Sequence, residues 1–410
     1  MGFNASLSGI SAANADLSVT ANNIANVNTV GFKESRAEFA DVLNSTGAGL
    51  AGNTIGSGAR LSNISQQFTQ GNVNQTGRNW DMAIEGEGFF TLSMNGARVY
   101  SRAGNFSPDK NGYVVNPQGA RLQVYAPNAD GTRFEGPLTD LRVLAADSAP
   151  KPTSQVQLAF TLPANAPVPT ETDFDPSVSN SYNFSSGGIT VYDSLGVSHT
   201  QTSYFVKTNN ANEWDVYNYV DGEPAGNPAG SATTLTFSDS GALTAPTDGQ
   251  IDLGDFTPNT GAGALRMTLD ITGSTQYGEK FGQHNTGQDG YGSGKLNEIS
   301  IGDDGVVYAR YSNGVSTGLG QVVLSNFNNP QGLASQGNNI WTETFASGTP
   351  RSGAPTSSDL GSLRAGALEE STVDLTQQLV NMITAQRNFQ ANAQMLSTQD
   401  QVTQAVINIR

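Results

Sequence analysis

Apolar residues recur with alternating four- and three-residue spacing at both ends of this chain. At the N-terminus the series is Phe3, Leu7, Ile10, Asn14, Leu17, Ala21 and Ile24. At the C-terminus Leu368, Leu375, Met382, Phe389 and Leu396 recur every seven residues, with Leu379 and Ala393 on the intervening position. Such heptads specify helices that pack along one stripe. Thr372 and Gln386 weaken the second stripe, and Val402, Val406 and Ile409 continue it in a shifted phase, as a stutter does. The N-terminal seam is therefore Phe3, Leu7, Ile10, Leu17 and Ile24. The C-terminal seam is Leu368, Leu375, Leu379, Met382, Phe389 and Leu396.

The remaining faces of these helices carry Ser, Asn, Ala, Thr and Gln, and only Asp16 is charged before Lys33. A solvent-exposed helix normally carries charge on its outer face. Val19, Ala12, Val380 and Ile383 lie off the seams, so each helix has more than one adhesive face. One reading is an intramolecular coiled-coil hairpin. The other is assembly, with ends that gain helical order on packing in a polymer. Glu369, Glu370 and Asp374 fall where a helix beginning near residue 368 favours negative charge.

Between the ends the pattern changes to short strands and turns. Phe89–Met94 precede Asn95-Gly96, a strong hairpin signal, and Val99-Tyr100 follow. Asp109-Lys110-Asn111-Gly112, Asn116-Pro117-Gln118-Gly119, Asp303-Asp304-Gly305 and Ser312-Asn313-Gly314 mark further turns. The stretch 146–284 is rich in Thr, Ser, Asn, Gly and Pro, with alternation at Ile189–Tyr192, Tyr204–Val206 and Trp214–Tyr217; it reads as an inserted β domain. Residues 47–60 are Gly-rich and read as a loop. The expected fold class is mainly β with terminal α-helices. Its expected domains are 1–33 plus 368–410 (helical), 34–75 plus 346–367 (connecting), 76–145 plus 285–345 (β-rich) and 146–284 (inserted).

Composition removes most chemistry. The chain has 410 residues, no Cys and two His, which excludes disulfides and thiolate metal sites and disfavours His-based triads. A formal charge of −16 disfavours nucleic acid and anionic lipid. No apolar run is long enough to span a membrane, and no basic n-region with an apolar segment marks a cleaved signal peptide. Met1–Ser6 matches a myristoylation pattern, which reads as an accident of the helical stripe. Gly292-Ser293-Gly294-Lys295 lacks the spacing and the following Ser or Thr of a phosphate loop. His199 and His284 read as turn or surface residues, and Asp173, Asp175, Asp303 and Asp304 as turn residues rather than calcium ligands. No catalytic residue, cofactor or metal site is expected, and the chain is not expected to be an enzyme.

The segment Ala21-Asn22-Asn23-Ile24-Ala25-Asn26-Val27-Asn28-Thr29-Val30-Gly31-Phe32-Lys33 resembles the N-terminal signature of bacterial flagellar rod and hook axial proteins. Leu379–Ile383 followed by Ala385–Gln394 resembles the C-terminal signature. The matching residues are Asn22, Asn23, Ile24, Ala25, Asn26, Gly31 and Phe32 at one end. At the other they are Asn381, Gln386, Arg387, Gln390 and Asn392. Gly88-Phe89-Phe90, Tyr100–Phe106, Gly320–Leu324 and Gly332–Gly337 are also similar to the family, and the likeness is weakest in 146–284. The inserted stretch is similar to that of hook-type members, since rod members are shorter.

The resemblance implies a subunit of a curved, flexible tubular homopolymer that joins rod to filament, transmits torque as a universal joint and encloses an export channel. It implies paired terminal helices along the inner wall; roughly 40 C-terminal residues span about 60 Å as one helix. Implied partners are further copies, the flagellar rod, the hook cap, the hook–filament junction protein and the flagellar type III export apparatus, with no nucleic acid and no direct membrane insertion. The implied location is the extracellular flagellum, reached without signal cleavage. Alternatives are a distal rod or junction protein, an acidic surface or adhesin protein, and a carbohydrate-binding β protein or enzyme with coiled tails.

Overall fold

A computed structural model of the chain describes residues 2–42, 56–128, 134, 136–144, 146–171 and 173–408. The chain divides into two compact units. The first comprises Met1–Ala145, Glu298–Arg310 and Ser316–Arg410; the second comprises Ala146–Asn297 and Tyr311–Val315.

The first unit contains both helices. Helix α1 spans Gly2–Ala25 and helix α2 spans Leu375–Asn408, and the two pack together. Asp374 starts α2 as an N-cap: its Oδ1 accepts from the backbone N–H groups of Thr376 at 2.8 Å and Gln377 at 3.1 Å. After α1 the chain forms strand Ser35–Asp41, which pairs antiparallel with Ala59–Gln66 and sets Phe39 opposite Leu61. The Gly-rich stretch 47–60 lies largely between these strands, and its residues 47–55 lie outside the described residues.

Two short pairings then bring the last segment of the chain back onto its beginning. Val73–Gln75 pairs with Ala367–Glu369, and Met82–Glu85 pairs with Ser362–Ala365. The main sheet of this unit is built around the hairpin Phe89–Met94 and Ala97–Ser101. Asn95 and Gly96 form its turn with positive φ angles of 52° and 84°, the backbone that hairpin turns of the primed type require. Leu324–Asn326 pairs with the edge of Phe89–Met94. Ile340–Thr342 pairs with Ala97–Ser101.

The second unit has two sheets over one apolar core. Ser198–Lys207 and Glu213–Val220 pair antiparallel, and their inward positions alternate strictly, as a half-buried strand requires. Gln155–Pro163 is central in the other sheet; it pairs parallel with Leu265–Asp270 and Thr275–Tyr277 and antiparallel with Gly282–Gln288. Trp214, Phe205, Phe160, Leu158 and Leu269 meet in the core. This unit runs past residue 284 because Gly282–Gln288 belongs to its sheet and Lys151 bridges to Tyr291.

Candidate functional site

The helix pair closes along a narrow stripe of small and polar residues. On α1 the buried positions are Ser6, Ala13, Val19, Thr20 and Asn23, of which Val19 lies off the stripe. Ser6, Ala13, Thr20 and Asn23 with Gly9 and Asp16 form a heptad series of their own, one position behind Ile10, Leu17 and Ile24. On α2 the buried positions are Gln378 and Ala385, seven apart, with half-buried Asn392 seven further on. A Cβ on Gly9 would lie 2.5 Å from Oδ1 of Asn392, so glycine is what lets the helices approach there. Burial pushes the Asp16 carboxyl above its usual range.

The expected seam residues lie outside this contact. Phe3 and Leu7 are exposed, and Ile10, Leu17 and Ile24 are half-buried beside the contact rather than within it. On α2, Leu375, Leu379 and Phe389 are exposed, while Met382 and Leu396 are half-buried. Leu368 is not helical at all. It lies in strand Ala367–Glu369, opposite Asn74, because the chain first pairs with Val73–Gln75 before α2 starts at Leu375. The cause of the shift is steric: small side chains permit close backbone approach, and the large residues are left facing outward.

The N-terminal motif forms the junction between α1 and the β structure. The buried Asn23 amide donates to the carbonyl of Ser35 at 2.8 Å and to Oε1 of Gln378 at 3.2 Å, and its Oδ1 accepts from the Ser35 N–H at 3.0 Å. Gln378 in turn donates to Oε1 of Glu34 at 2.8 Å. One side chain thus fixes α1, the first strand and α2 together. Asn26 closes the helix end: its amide donates to the Asn22 carbonyl at 2.9 Å and its Oδ1 accepts from Thr29 at 3.1 Å. Asn22 and Ala25 are exposed on the outer face.

Gly31 has φ +66°, and a Cβ there would lie 2.6 Å from the Ala103 nitrogen. Its N–H donates to the Glu369 carbonyl at 2.9 Å, and the carbonyl of half-buried Phe32 accepts from Thr372 N–H at 3.2 Å. In the C-terminal motif, Asn381 is half-buried and accepts from Gln377 at 3.1 Å, while Gln386, Arg387 and Gln390 are exposed.

Directly after that glycine turn, three charged groups are sealed in the interior. Lys33 Nζ donates to Oε1 of Glu369 at 2.7 Å and to the Thr69 carbonyl at 2.5 Å. Arg102 Nε stands 3.1 Å from Oε2 of Glu369, a charge contact without an aligned hydrogen bond. Its other nitrogens donate to the carbonyls of Gly88 at 2.8 Å and Gly86 at 2.9 Å. Glu369 is wholly buried, and Lys33 and Arg102 nearly so. Burial lowers the pKa of both cations, with the Glu369 charge opposing that shift. Glu369 therefore does not serve a helix dipole, as its sequence position implied; it is the common counter-ion for the segment after α1 and for the β sheet. Sequence reasoning did not find this cluster, because its members lie 33, 102 and 369 positions along the chain and no local pattern links them.

In the second unit His199 is buried in its strand rather than at a turn or surface. Its Nδ1 lies 2.6 Å from Asp221 and its Nε2 3.4 Å from Asp193. His284 is exposed, 2.6 Å from the Thr161 hydroxyl. Among the described residues no group of acidic and histidine side chains has the arrangement of a metal site, and no helix is long and apolar enough to cross a membrane.

Comparisons with known proteins show which class of protein this arrangement of two helical ends on a β body belongs to. Residues 3–33 match the flagella basal body rod protein model and residues 364–409 match the C-terminal model of basal body rod FlgEFG proteins. Residues 83–167 match the flagellar hook protein FlgE/F/G D1 domain and residues 161–291 the flagellar basal body protein FlaE D2 domain.

The chain is 42% identical to flagellar hook protein FlgE of Salmonella typhimurium over 420 residues and 40% identical to that of Escherichia coli over 421, covering all of each chain. It is 32% identical to flagellar hook protein FlgE of Borreliella burgdorferi over 435 residues, covering 96% of both. Its fold is shared with the crystal structure of Helicobacter pylori flagellar hook protein FlgE2, with TM-score 0.54 and 15% identity over 72% of this chain and all of the other. The chain belongs to the flagellar hook protein FlgE family. It is accordingly a structural subunit of the hook, outside the cell, and not an enzyme.

Proposed function

We propose that the outward faces of the helix pair are the polymerisation surface, buried in the hook by neighbouring copies. The observation that carries this is the exposure of Phe3, Leu7, Leu375, Leu379, Val380, Ile383 and Phe389 on helices whose mutual contact is already closed by small residues. Large apolar side chains left exposed along both helices suit association with other copies. Copies related by a screw operation make heterologous contacts and continue into a tube. The polar Ser, Asn and Gln positions of the same helices suit a water-filled channel for export of later subunits.

The hydroxyl- and amide-rich second unit suits outer contacts that slide through bridging water, as a curved universal joint requires. The terminal seams and the inserted domain divide this work, with the ends giving cohesion and the outer part flexibility. The rod at one end, the cap and junction protein at the other, and the type III export apparatus complete the partners of this reading.

Leu379→Asp tests it. The side chain is exposed, so the monomer should keep its melting temperature, yet a charge in an apolar contact should abolish polymer. Normal polymer from Leu379→Asp would refute the assigned surface.

A further inference from the structure

His199 is buried where turns of the second unit meet, with a carboxylate beside each ring nitrogen. Nδ1 lies 2.6 Å from Oδ2 of Asp221, in the turn after Glu213–Val220. Oδ1 of the same carboxylate accepts from the Thr200 N–H at 2.7 Å, and Asp221 and Gly222 have the positive φ angles of a tight hairpin turn. Nε2 lies 3.4 Å from Oδ2 of Asp193, in the turn after Ile189–Tyr192. The Asp193 side chain is wholly buried, and its Oδ1 accepts from the N–H groups of Leu195 at 2.9 Å and Val197 at 2.8 Å.

A third turn hangs on the Asp193 turn. Gln250–Phe256 and Leu265–Asp270 form a hairpin whose tip is 257–264. Thr260 Oγ1 in that tip donates to Oδ2 of Asp193 at 2.7 Å, the same oxygen that faces the histidine. The Gly263 N–H donates to Ser194 Oγ at 3.1 Å. At the base of the tip the Phe256 ring meets the imidazole edge to face, with centroids 5.8 Å apart. Among the described residues the charged groups facing the ring are Asp221 and Asp193; Phe256 and Thr260, from the hairpin, are uncharged.

Only an imidazolium donates from both ring nitrogens. A neutral ring has one N–H, so one of the two carboxylates then faces a lone pair. The shorter contact is to Asp221, so Asp193 is the one that loses its donor. A buried carboxylate short of a partner is costly, and Asp193 carries both its own turn and the hairpin tip. The Asp221 side chain is 43% exposed, which gives the ring's proton a route to water. Burial lowers the imidazole pKa, and the two aspartates more than reverse this.

We propose that His199 is a proton-operated latch. Charged, it holds the hairpin tip 257–264 against the turn at Asp193; neutral, it releases the tip while the sheets stay folded. The hook lies outside the cell, so the latch answers to the pH of the medium. The latch lies within one subunit and does not depend on the polymerisation surface.

Hydrogen exchange of the full-length chain, corrected for the intrinsic effect of pH, tests this, with the His199 ring titration followed by proton NMR. The expected result is a loss of protection of about tenfold at 193–197 and 257–264 as His199 loses its proton, with the strands around Phe205 and Trp214 unchanged. His199→Gln should open the tip at every pH and remove the step. Thr260→Val keeps the histidine and both carboxylates, and should free the tip at every pH while His199 still titrates. Wild-type tip protection that stays constant across the titration overturns the proposal. So does a step that persists in either variant, or one that spreads through the whole unit as global unfolding does.

Discussion

Lys33 and Glu369 lie 336 positions apart and meet at 2.7 Å in the interior, so the segment after the first helix and the segment before the last are locked at one point. Arg102 brings the β sheet to the same carboxylate. Both chain segments and the β sheet are thus tied together at one buried site.

Glu369→Gln leaves two buried cations facing a neutral amide. Breaking a buried pair costs about 3–5 kcal/mol. The variant should melt many degrees lower, and hydrogen exchange should show faster opening at residues 31–35 and 367–372. Wild-type melting and exchange would show that the cluster carries no structural load.

Gly31→Ala puts a side chain at a positive φ and against the Ala103 backbone. Left-handed backbone at a non-glycine residue costs of order 1 kcal/mol, and the overlap adds to it. The expected outcome is a lower unfolding midpoint in denaturant at an unchanged slope. Gly96→Ala, whose Cβ meets nothing within 4 Å, isolates the conformational part and should cost less. Equal losses would contradict the packing argument.

The second unit should respond to pH through His199. Burial lowers the imidazole pKa, but the hydrogen bonds and charges of Asp221 and Asp193 outweigh it, so the net shift is upward. Burial raises both aspartates, and their hydrogen bonds outweigh it, so they shift downward. A raised histidine contributes stability in full below its unfolded pKa of about 6.5 and loses it as pH rises through the folded value. Depressed aspartates contribute above about 3.9 and lose this as pH falls through their folded values. The unit should therefore be most stable between about pH 4 and 6.5. Proton NMR of the two histidine rings, assigned with His284→Gln, should show His199 titrating above its ordinary value; titration at or below it would contradict the clamp.

Helix identity, the Asn95-Gly96 hairpin and the β nature of the insertion were legible because each rests on local periodicity or turn chemistry. The facing of the helices was not. Ranking positions by hydrophobicity selects Phe3, Leu7 and Leu379, whereas the helix pair closes over Ser6, Gly9, Ala13 and Asn392, where closeness of backbones matters more than apolar area. Leu368 continued a seven-residue spacing, but pairing with the strand at Val73–Gln75 claimed it first. Asn23, Gly31 and Lys33 were visible as members of a motif, but their work depends on Gln378, Ala103 and Glu369, which are distant in sequence.

The central claim is that large apolar residues face outward on the helix pair because neighbouring copies cover them. Electron cryomicroscopy of the assembled polymer tests it most directly. The account predicts that Phe3, Leu7, Leu379 and Ile383 are packed against other copies, with the contact between α1 and α2 still closed over Ala13 and Ala385. A polymer in which those four side chains face water, held together elsewhere, would contradict it.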